Sequence, residues 1–95
     1  MSSINAQPAP TVLTPVQNGT YPKRVKFSGK GLAAWLVIFD RVPFDGTEYG
    51  TATVDQNQNW EFEVELEPDM HRTRAYQTIN RERSDNTPII DFQVL

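Results

Sequence analysis

An all-β sandwich of about seven antiparallel strands in two sheets is predicted by three observations on this 95-residue chain. Turn signals recur between short apolar stretches, at Asn18-Gly19, Gly29 to Gly31, Pro43 to Gly46, Asp55 to Asn59, Pro68-Asp69 and Asn80 to Pro88. Their spacing of roughly 8 to 12 residues is that of a sandwich or barrel. Period-two alternation is plain in several stretches, and none sustains helical spacing without a Gly, a Pro or a β-branched cluster.

Taken in order, Ser2 to Pro10 is small, polar and proline-containing, so residues 1–11 read as a flexible linker and 12–95 as the domain. Val25 and Phe27 are expected to point inward with Arg24 and Lys26 outward. The run Ala33 to Phe39 is unbroken apolar and does not reveal its own facing. Trp60, Phe62, Val64 and Leu66 alternate with Glu61, Glu63 and Glu65, the pattern of a half-buried strand. Near the end, Ile90, Phe92 and Val94 point inward and Asp91 and Gln93 outward. A basic strand beside a glutamate-rich one suggests neighbours in one sheet, with Lys26 set against Glu63 or Glu65.

Composition narrows the function. The net charge of −3 and the absence of any dense Lys/Arg run set nucleic acid aside as a partner. There are no cysteines, which removes disulfides, thiolate metal sites and thiol nucleophiles. No stretch of about 18 apolar residues occurs, and Met1 to Pro10 lacks the pattern of an export signal, so membrane insertion is not expected.

In sequence, SGKGLAAWLVIFD, GTATVDQNQNWEFEVEL, HRTRAY and the final DFQVL resemble the bacterial immunoglobulin-like domains that occur in tandem in surface adhesins and biofilm-associated proteins. The most specific piece is Gly50 to Asp55 followed by a polar turn and Trp60. The chain departs from the pattern at Asn59, where a Gly is usual, and at Leu32-Ala33, which stand for Pro-Gly. The resemblance implies an immunoglobulin-like sandwich, an extracellular or cell-surface setting, and a role in spacing or adhesion, with sugar binding known for related modules. Its strand phase turns Ala34, Leu36 and Ile38 inward, and with them Thr73 and Ala75 of a neighbouring strand.

That phase leaves Trp35, Val37 and Phe39 outward. The candidate ligand- or partner-binding face is therefore Trp35, Phe39, Arg72, Arg74, Tyr76, Asp91 and Gln93. Trp, Tyr and Arg dominate binding hot spots, and flat aromatic faces receive sugar rings or guanidinium groups. The competing expectation is that arginines or a loop such as Pro43-Phe44 simply cover the aromatic groups. The partners expected are neighbouring domains of a larger chain, or a protein or glycan on a cell surface.

No catalytic constellation assembles. His71 follows a turn and reads as exposed, and no serine has the setting of a positioned nucleophile. Glu61, Glu63 and Glu65 lie on one convex strand face, whereas glycoside cleavage needs a cleft. Asp55 to Asn59 superficially resembles a calcium loop, but Trp60 stands where the loop needs Gly and Leu66 where it needs Glu. Asp40, Asp45, Glu48, Asp85 and Asp91 read as solvated loop carboxylates. The sequence thus predicts no enzyme, no metal site and no cofactor.

Overall fold

A computed structural model describes residues 7–95 and contains nine strands. These are β1 (Thr11–Thr14), β2 (Gly19–Tyr21), β3 (Arg24–Lys30), β4 (Leu36–Arg41), β5 (Glu48–Thr53), β6 (Asn59–Glu65), β7 (Asp69–Ile79), β8 (Glu82–Arg83) and β9 (Ile90–Val94). One sheet has the order β1-β3-β6, and the other runs β2-β9-β7-β4-β5 with β8 against β7. All pairings between these strands are antiparallel except β2 with β9, which is parallel.

β3 and β6 are neighbours, as their opposite charges suggest. Lys26 lies opposite Glu63, and ion pairs join Arg24 to Glu63 at 2.7 Å and Lys26 to Glu61 at 3.5 Å. All four groups are largely exposed, so they fix register more than they add stability. On the other face of this pair, Val25, Phe27 and Trp60 are buried and Phe62 and Val64 half-buried. Phe27 is the hub, with ring centroids 4.8 Å from Phe62, 4.9 Å from Phe39 and 6.0 Å from Phe92.

The facing of β4 is the reverse of that expected. Val37 and Phe39 are fully buried and Trp35 packs half-buried against the core, whereas Leu36 and Ile38 are half-buried on the outer face. Phe39 stands opposite Ala75, and Val37 opposite Gln77. Residues opposed across a strand pair share a face, so the inward Ala75 that the sequence correctly indicated forces Phe39 inward with it. The phase was lost in the turn before β4. Ala34 has φ 74, its N–H bonds to Val54, and Trp35 bonds back to Leu32, so no strand phase carries through from Ala33.

Strand order places the two ends of the described chain apart. β1 begins opposite Lys30, and Gln7 bridges to Ser84 while Gln77 Nε2 donates to the Pro8 carbonyl, all at one end of the sandwich. Residues 1–6 of the predicted linker lie outside the described residues. β9 ends at the opposite pole, where Val94 faces Asp69 and Tyr21. The 11-residue β7 spans the distance between them, about 34 Å at ordinary strand rise.

Candidate functional site

The outer face of the larger sheet is built by strand alternation from β4, β7 and β9. It displays Leu36, Ile38 and Asp40, then Arg72, Arg74 and Tyr76, then Asp91 and Gln93. Of the seven candidate residues, five are therefore brought together here. Trp35 and Phe39 are not, and Leu36 and Ile38 take their places, with Ile38 directly opposite Tyr76. The signal that could have found them is the inward phase of β7, once a register with β4 is assumed.

Much of this face is satisfied internally. Arg72 Nε donates to Asp91 Oδ1 at 2.6 Å, and the two residues are register partners. That hydrogen bond and the guanidinium charge hold the Asp91 carboxyl below the usual carboxylate range and raise Arg72. The Arg83 guanidinium lies 3.7 Å above the Tyr76 ring. The aromatic surface is thus capped by an arginine, though by one from β8 rather than β7. Arg74 differs: it stands opposite Asp40 in register, yet forms no ion pair among the described residues.

The inner face of β7 is unusually polar, carrying His71, Thr73 and Gln77 beside Ala75, all buried. His71 corrects the expectation of an exposed turn histidine. Its place on β7 shares the inward phase of Thr73, so the strand carries it into the interior. There the ring is bonded at both nitrogens, Nδ1 to the Tyr49 hydroxyl at 3.1 Å and Nε2 to the Glu67 carbonyl at 2.9 Å. A carbonyl only accepts, so in the neutral ring Nε2 carries the proton and Nδ1 accepts from Tyr49. Burial pushes the Tyr49 phenol up, which keeps it a donor.

Thr73 Oγ1 donates to the Asp40 carbonyl, and Gln77 bridges Pro8 and the Leu32 N–H at the other pole. These buried polar groups are spent on the fold, as buried polar groups must be. An open depression of about 490 Å³ outside Tyr49 and His71 is rimmed by Glu48, Glu65, Glu67 and Asp69 with Arg41. At the opposite pole the Asp55 carboxylate accepts from the N–H groups of Asn57 and Asn59, which accounts for that segment as a hairpin turn.

With this arrangement in view, one solved structure is informative. A fibronectin(III)-like module of Clostridium thermocellum CbhA matches with a TM-score of 0.68 over 90% of this chain and 93% of that one. The fold is an immunoglobulin-like β-sandwich. The two sequences are 14% identical, so the likeness speaks for architecture. No protein-family model matches the sequence, and no curated protein does.

Proposed function

We propose that this chain is a non-catalytic module of a larger bacterial surface or secreted protein, working outside the cell as a tension-bearing spacer or adhesion domain. The observation that carries this is the path of the chain. It enters the sandwich beside Lys30 and leaves beside Tyr21 at the opposite pole, and β2 runs parallel to β9. Tension between the two ends therefore pulls β2 and β9 in opposite senses along their length. Their hydrogen bonds are loaded together in shear instead of one at a time. The partners are then the neighbouring domains that transmit the force.

Single-molecule pulling in two directions tests this. Force applied through the two ends should rupture the domain at a clearly higher load than force applied between a Lys23→Cys attachment and residue 95. Those two points lie at the same pole and unzip β2 from β9. Equal rupture forces would refute the spacer reading.

A second reading, a carbohydrate- or protein-binding module, is favoured by one observation: Arg74 forms no ion pair among the described residues and shares its face with the neighbouring Ile38–Tyr76 pair. An NMR titration with a glycan panel should then shift the Ile38, Arg74 and Tyr76 resonances together. An unresponsive face across the panel removes the sugar version.

A further inference from the structure

The two sheets leave strand edges with unpaired backbone groups, and such edges invite pairing unless guarded. Among the described residues, β8 is only two residues long and both are charged, and three of the other four edge strands carry guards. β6 bears Glu61, Glu63 and Glu65, so two copies meeting there set like charges together. β1 is four residues long, bounded by Pro10 and Pro15, and irregular between Val12 and Thr14. β2 has three residues and is followed by Pro22.

β5 is different. Glu48 and an irregularity beside it guard one end of β5, but from Gly50 through Thr53 and on to Val54 the edge has no charge and no proline, and Thr51 and Thr53 are exposed. Val54 directs both its N–H and its C=O at the chain leading into β4, to Trp35 and Ala34. Backbone groups alternate along a strand, so those of Ala52 and Gly50 also face β4 and those of Thr51 and Thr53 face outward.

We infer that the β5 edge pairs antiparallel with β5 of a second copy of this chain, about a two-fold axis at Ala52, joining the two larger sheets into one. The stretch Gly50-Thr51-Ala52-Thr53-Val54 is close to symmetric about Ala52. Thr51 meets Thr53 of the other copy and exchanges both hydrogen bonds, and the symmetric pair repeats this. Threonines facing across a strand pair are favourable neighbours. Gly50 meets Val54 at either end of the paired stretch, so no charged residues are opposed within it. An interface in which one patch pairs with itself closes as a dimer.

The test uses the whole chain, which has no cysteine of its own. Sedimentation equilibrium over micromolar to millimolar concentration should show a monomer–dimer equilibrium. Thr53→Lys should weaken it at least about tenfold with the circular dichroism spectrum unchanged. In this register the Ala52 pair is not hydrogen-bonded, with Cα atoms about 4.5 Å apart, within disulfide reach. Ala52→Cys should therefore cross-link under mild oxidation much faster than Glu61→Cys on the β6 edge. A wild-type chain that stays monomeric, a dimer indifferent to Thr53→Lys, or Ala52→Cys cross-linking no faster than Glu61→Cys would each overturn the inference.

Discussion

Replacing Tyr49 by Phe isolates one hydrogen bond in the interior. The ring stays in place against Phe27, Phe92 and His71, at centroid distances of 6.2, 6.3 and 5.6 Å, so apolar burial is conserved. What is lost is the hydroxyl that donates to His71 Nδ1. Both residues are buried, at 6% and 7% exposure, so water does not readily replace that donor. Leaving a buried acceptor unpaired costs about 1 to 3 kcal/mol. In a chain of this length that corresponds to a fall in Tm of roughly 4 to 8 °C per kcal/mol.

A thermal melt followed by circular dichroism measures this, and His71→Leu in the same background completes a double-mutant cycle. With both polar partners gone, the pair of substitutions should cost less than the sum of the two alone, because neither leaves the other stranded. Long-range ¹⁵N spectra of His71 should show the proton on Nε2. An unchanged Tm for Tyr49→Phe, strict additivity, or a proton on Nδ1 in the neutral ring would refute the assigned hydrogen-bond roles.

Two further outcomes are expected. Ala34, held at φ 74, occupies a backbone region that costs a side-chain-bearing residue about 1 kcal/mol, so Ala34→Gly should raise Tm by several degrees in the same melt. The depressed Asp91 carboxyl binds fewer protons in the folded chain than in the unfolded one. The stability it lends is present above its ordinary value of 3.8 and lost as pH falls through the lower folded value. Asp91→Asn should therefore lower the neutral plateau of a stability–pH curve slightly and flatten its acid limb below about pH 4, the variant and the parent converging at the acid end.

What was legible in the sequence follows from periodicity. Where apolar and charged residues alternate, as in Trp60 to Leu66 or Ile90 to Val94, facing is fixed by chemistry, and the strands lie as the alternation requires. The resemblance carried by Gly50 to Asp55 and Trp60 pointed to the right architecture, because those residues mark a strand, a turn and a core position. It could not carry phase across the Leu32 to Trp35 turn, since one residue in the left-handed region re-aims all that follow. In Leu36 to Phe39 every side chain tolerates either face, and the choice is made by pairing with β7. The buried places of His71 and Gln77 were hidden for a different reason. Polar residues are ordinarily read as outward, and their partners, the Glu67, Pro8 and Leu32 backbone groups and the Tyr49 hydroxyl, are brought near only by the fold.

The facing of β4 decides which residues make the core and which make the candidate binding face, and one comparison tests it directly. Phe39 is fully buried, with ring centroids 4.9, 5.3 and 5.8 Å from those of Phe27, Trp60 and Phe62, so Phe39→Ala should cost about 3 to 5 kcal/mol. Ile38 is half-buried on the outer face, and Ile38→Ala should cost about 1 kcal/mol. Urea unfolding followed by tryptophan fluorescence should find Phe39→Ala unfolded or barely folded and Ile38→Ala near the parent midpoint. The reverse order would contradict the account.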